Sequence, residues 1–198
     1  MVVESKFMRI ITFFSQLATI ESSDDMENLL NAYALPIGSS SIKRQSSCDI
    51  SINGYVGLSV GYERTIGNQN NIENKNIGLS APIGLAITLN GCLTFFASFI
   101  DIGSIVNQSF GNNTTYYTNF RFEQFFTPGI GMFFNFSTLP ITIGFHYNYI
   151  PNLRTIKFEN GNANITESNL SVSRFNLVIH IDIPLFTIYN KHNEKWLN

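Results

Sequence analysis

Seven side chains could do chemistry while sharing the polar side of extended segments: Glu63, Arg121, Glu123, His146, Arg174, His180 and Asp182. Asp101 is an eighth, on a strand whose inner face the pattern does not assign. His180 and Asp182 stand two apart, so a strand places both on one face. That spacing suits an imidazole oriented by a carboxylate, or half of a metal site. A metal site needs at least three converging ligands, however, and only this pair is local. No CxxC spacing occurs, no G-x-S-x-G marks a nucleophilic serine beside His146, and phosphate-loop and dinucleotide motifs are missing. His192 lies in a polar tail. Opposite charges confined in a narrow barrel must pair, because unpaired buried charge is costly. The expectation is therefore a polar network in a lumen, with no catalytic residue, metal or cofactor.

The elements that must hold these groups are strands. Between Asp49 and Gly61, Ile50, Ile52, Val56, Leu58 and Val60 alternate with Ser51, Asn53, Tyr55, Gly57 and Ser59. One face is aliphatic and the other small or polar, and the pattern returns down the chain. Strand two, about Asn76–Leu89, sets Ile77, Leu79, Ile83, Leu85 and Ile87 against Gly78, Ser80, Pro82 and Gly84. Asn90-Gly91 is a strong signal for a two-residue hairpin turn. Strand three, about Cys92–Ile105, is apolar on both faces. Strand four, about Asn119–Phe136, continues its outward parity through Pro128-Gly129, which predicts a kink or bulge within one strand. After a turn at Ser137–Pro140, strand five covers about Ile141–Ile150. A polar loop at Phe158–Ser168 leads to strand six, about Val172–Tyr189.

Loops therefore alternate long and short, as in transmembrane barrels. Charged residues are 13% of the chain against a usual share of roughly 25%. A wall facing hydrocarbon tolerates that poverty; a water-facing surface does not. With a net charge of −2 and no basic stripe, nothing points to nucleic acid. No run approaches the roughly 20 apolar residues of a membrane helix.

Residues 1–47 read as a helical hairpin and a Ser-rich linker, 48–190 as the barrel wall, and 191–198 as a polar tail. Ile10, Ile11, Phe14 and Leu17 form one helical stripe, and Met26, Leu29, Leu30 and Tyr33 a second. Asp24 and Glu27 resemble a capping box. The hairpin is expected at a barrel rim or in the lumen. The apolar stretch near Ile10–Ala18 is too short and interrupted for a convincing signal peptide. Cys48 and Cys92 are expected to stay unpaired, one strand apart at one rim. The Asn-X-Ser/Thr sequons, Asn135 among them, reflect an Asn-rich composition.

The fold class is thus mainly β: an antiparallel, up-and-down, transmembrane-type barrel of about six long strands after a short helical segment. Six is fewer than the eight or so at which bacterial single-chain barrels begin. Three readings follow: an incomplete barrel completed by upstream strands of a longer parent, one completed by other copies, or a fold that is not a membrane barrel. The segments Leu35–Ser40, Thr127–Gly131, Tyr149–Arg154 and Asp182–Phe186 make the chain resemble outer-membrane β-barrel proteins of Gram-negative bacteria. It looks most like the C-terminal part of large uncharacterised barrels from Bacteroidota. The resemblance implies outer-membrane residence, the lipid bilayer as partner, and a structural, pore-forming or surface-anchoring role. It also implies a closing aromatic, Phe186 or Tyr189, although a polar tail follows. Two alternatives stand beside it. A soluble barrel binding a small hydrophobic ligand would point its aliphatic face inward. An outer-membrane lipid-modifying enzyme would lose activity on replacement of His146 or His180.

Overall fold

The computed structural model describes residues 2–19, 23–34, 43–66, 73–103, 126–136, 139–160 and 163–192, with 2–7, 18, 23, 65, 73–74, 152–160, 163–170 and 192 described by backbone alone. Arg121 and Glu123 lie outside the described residues, as do the linker at 35–42 and most of the loop after Gly103. Among the described residues two helices, α1 (Val2–Ala18) and α2 (Ser23–Tyr33), precede seven strands. These are β1 (Ser46–Ile66), β2 (Glu73–Ser80), β3 (Pro82–Leu89), β4 (Leu93–Asp101), β5 (Phe126–Asn135), β6 (Ile141–Asn160) and β7 (Ala163–His192).

All pairings are antiparallel, and β1–β7 pairing closes the sheet into a ring. β2 and β3 are the two halves of the single strand expected at Asn76–Leu89, and both pair with β1. The break falls at Ala81, ahead of Pro82, which has no N–H to give a ladder. The Asp101 carboxylate accepts the Ala81 N–H (2.8 Å) and the Gly103 N–H (3.0 Å), so the interruption is satisfied.

The register explains how so few strands close. Stepping across the ladder from Cys48 leads through Leu89, Leu93, Phe134, Ile143 and Ile179 and returns to β1 at Leu58, a stagger of ten residues. With six strands around the ring, that stagger tilts them by about 49° and gives a radius of about 7 Å, steeper and wider than six strands at the usual tilt. The described strands are thus bonded in a ring, with β2 paired to β1 alone among the described residues.

Coiling this steep demands glycine at inner crossings. A Cβ at Gly57 would overlap the Ile179 carbonyl oxygen, and one at Gly144 the Met132 carbonyl oxygen. Bulky inner side chains sit beside these gaps: His180 opposite Gly57, and Phe133 and Val178 flanking Gly144.

Other elements also depart from the sequence reading. β6 and β7 run beyond Ile150 and before Val172 as one ladder to Asn160↔Ala163, where a polar loop was expected. β7 continues to His192, into the expected tail. In β4, the ambiguous faces resolve through a register shift against β5 between Ser98 and Ile100, and against β3 between Ile83 and Gly84. Thr94, Phe96 and Ser98 point inward, and after the shift Ile100 faces out. Asn90 (φ 50°) and Gly91 (φ 65°) are both left-handed, as the type I′ hairpin turn requires.

The α1–α2 hairpin lies at neither rim nor lumen; it packs on the outside of the wall. Phe13, Leu17, Met26 and Leu29 bury Ile52, Ile83, Ile100, Leu185 and Phe186. Phe13 meets Phe186 and Tyr33 edge-on at 5.6 and 5.2 Å, and Tyr33 donates to Gln16 Oε1 at 3.2 Å. The physical reason is steric: the lumen is already full, and the outer face offers continuous apolar surface.

Candidate functional site

The inner face carries nearly all the buried polar chemistry of the described wall. Alternation sends the even positions of β6 and of β7 up to Asp182 inward, so His146, Asn148, Arg174, Asn176, His180 and Asp182 are buried while Phe145, Tyr147, Phe175, Leu177, Ile179 and Ile181 are exposed. On β1 the odd positions face in, from Asp49 to Glu63.

The lumen is stacked in layers. Near the Asn90-Gly91 turn, Thr88 Oγ1 and Thr94 Oγ1 share a hydrogen bond (2.8 Å), and Asn135 Nδ2 donates to Thr94 Oγ1 (2.9 Å) and to the Gly91 carbonyl (3.3 Å). That Asn135, one of the sequons, is committed inside the wall. Farther in, Tyr55, 0% exposed, meets Phe96 and Phe133 edge to face with centroids 4.9 Å away, and those two rings lie tilted against each other at 5.5 Å. This aromatic layer fills the bore.

Asp182 anchors the next group. It accepts from Lys43 Nζ (2.9 Å) and Asn53 Nδ2 (2.6 Å), and Lys43 Nζ also reaches Tyr55 Oη (3.0 Å). Lys43 is 3% exposed, held in a helical turn ahead of β1 with its stem threaded into the barrel end. Toward the other end, Arg174 Nε donates to Glu63 Oε2 at 2.8 Å, both side chains buried. Such pairs compensate charge that a bore walled off from water could not solvate.

The expected residues are thus only partly brought together. Glu63 pairs with Arg174 across β1 and β7. His180 and Asp182 share a face but not a bond: the carboxylate turns to Lys43 and Asn53, and neither ring nitrogen of His180 has a hydrogen-bond partner. His180 instead packs against Tyr55 and Phe133, 5.8 and 5.6 Å between centroids. His146 Nε2 shares a hydrogen bond with Ser98 Oγ at 3.1 Å, the serine whose position no motif marked. Both are buried, and His146 Nδ1 has no carboxylate to orient it. A nucleophile needs a base, an orienting group and access to substrate; this pair has only the first. Asp101 serves the β2–β3 break.

Lys43, Tyr55, Asn53 and Ser98 are the residues sequence reasoning missed. Lys43 had one usable signal. The inner face held more carboxylates than assigned cations, so a cation from outside the strands had to enter.

Cys48, on β1, and Cys92, in the turn between β3 and β4, are both free thiols. Among the described residues no group of three or more His, Cys, Asp or Glu side chains is placed to hold a metal ion. No family model, curated protein or solved structure matches the chain.

Proposed function

We propose that this chain is a bilayer-embedded β-barrel of the outer-membrane kind, serving as a structural or surface-anchoring element rather than a pore or an enzyme. The observation that carries this is the inversion of the usual soluble pattern. Charges and amides are buried in the lumen, while Val56, Leu58, Ile77, Ile130, Phe145, Ile179 and Ile181 stand exposed on the outer face. Ile77 reaches 80% exposure and Leu58 62%. Contiguous apolar surface on this scale far exceeds what a water-soluble monomer presents.

Dimensions support the same reading. At the tilt deduced above each residue rises about 2.2 Å along the barrel axis, so outer apolar positions from Tyr189 to Tyr62 span about 30 Å. That is close to the hydrocarbon thickness of a bilayer. The exposed charges Arg64 and Lys75 stand beyond one edge and Lys191 beyond the other. Tyr62, Phe175 and Tyr147 follow one another on adjacent strands near the first edge, as an aromatic girdle requires. Among the described residues no helix is long and apolar enough to cross a membrane.

The aromatic layer of Tyr55, Phe96 and Phe133 favours a plugged barrel over a channel. A soluble carrier of a hydrophobic ligand would want the opposite parity, with an apolar interior. The test is to refold the full chain from denaturant beside vesicles of phosphatidylethanolamine and phosphatidylglycerol. Co-flotation, resistance to carbonate extraction and a heat-modifiable gel band are expected. A monomer that stays in detergent-free buffer, with no flotation, refutes the proposal.

A further inference from the structure

We infer that the α1–α2 hairpin is a displaceable cover, docked on the wall in water and exchanged for lipid when the barrel enters a bilayer. This inference rests on the membrane reading above.

The hairpin occupies part of the same outer face that elsewhere stays bare. Ile52 and Ile83 follow the outward parity of their strands, as do Val56 and Leu85, and Ile100 faces out after its register shift. With the tilt allowed for, Ile83 and Ile100 stand at about the same height as Met132 and Ile179 on the uncovered side. The covered patch therefore falls inside the apolar band, not below it.

The hairpin's other face does not belong at that depth. Asp24, Asp25, Glu27, Asn28 and Asn31 are all exposed on α2, along with Ser15 and Gln16 on α1. Carboxylates facing hydrocarbon are strongly unfavourable. A docked hairpin and a complete lipid belt are thus mutually exclusive over this sector.

The contact is also of a kind that lipid can replace. It is made by Phe13, Leu17, Met26 and Leu29 on one side and aliphatic or aromatic wall residues on the other, with Arg9 over the Phe186 ring at 5.8 Å. Hydrophobic docking is driven by exclusion of water; against hydrocarbon that drive vanishes, because acyl chains are as apolar as leucine. In water the same docking shields part of an aggregation-prone wall. Released, the hairpin would sit at the interface as an amphipathic segment with its acidic face in water.

The test uses the full chain with Cys48 and Cys92 changed to Ser, and Phe13→Cys with Phe186→Cys joined by a short bis-maleimide. The same protein left unlinked controls for folding. Hydrogen exchange on the unmodified chain, with and without vesicles, gives an independent reading. The expected result is at least tenfold lower vesicle partitioning of the linked form, and loss of amide protection over residues 8–17 and 24–33 when vesicles are added. Equal partitioning of both forms with unchanged hairpin protection overturns the inference while leaving the membrane reading intact. If the unmodified chain does not associate with vesicles at all, both fall together.

Discussion

Arginine substitution along the outer face separates a lipid-facing wall from a water-facing one. Ile179 is 52% exposed on β7 and pairs with Leu58 and Ile143, both also outward. Counting the rise along the tilted strands, it stands about 17 Å from Tyr189 and about 12 Å from Tyr62, hence near the middle of the apolar band. At such a depth an Arg side chain on a barrel's lipid face costs about 2–4 kcal/mol, falling to about 0–1 near the interfaces. In water the same exposed position would change stability by within about 0.5 kcal/mol. The two environments therefore differ by a factor of at least about ten in the folding equilibrium. The assay is reversible guanidinium unfolding of Ile179→Arg, Leu58→Arg, Ile66→Arg and Tyr189→Arg in vesicles, followed by tryptophan fluorescence and gel mobility. A peak at Ile179 and Leu58 with small effects at Ile66 and Tyr189 is the expected profile. A flat profile within about 0.5 kcal/mol across the four refutes the membrane reading, whatever the protein's solubility.

Asp182→Asn strands the buried Lys43 ammonium and should cost about 3–5 kcal/mol, whereas Lys43→Met combined with Asp182→Leu should recover most of it; denaturant midpoints of the two variants check this. Gly57→Ala drives a Cβ into the Ile179 carbonyl and should destabilise by about 1–3 kcal/mol in the same measurement; equal stability would mean β1 and β7 are not so closely coiled. Ser98 should remain unlabelled by a fluorophosphonate in the folded protein, since it and His146 are enclosed; stoichiometric labelling detected by mass spectrometry would revive the enzyme reading.

Much of the wall could be read from local pattern. The inward set His146, Asn148, Arg174, Asn176, His180 and Asp182 follows from period-two alternation, since successive side chains of any strand point to opposite faces. The turn at Asn90-Gly91 was equally legible, because two consecutive left-handed residues are a local demand that few dipeptides meet. Legibility failed where parity was interrupted. At Ser98–Ile100 a register shift moves Ile100 to the outer face, and nothing within β4 announces it, because the shift is a relation to β3 and β5. The partner of Asp182 was hidden for a similar reason: His180 is its near neighbour in sequence, but Lys43 comes from 139 positions away.

The sequence by itself therefore determined which side chains share a face, where the tight turns fall and what solvent each face suits, all properties set by bonds a few residues long. Closure of the ring at a stagger of ten residues, the packed aromatic bore, the Lys43–Asp182 pair and the hairpin's place on the outer wall were decided only by tertiary structure. Each depends on register between strands distant in the chain, and registers are chosen by the global fit of all the strands at once.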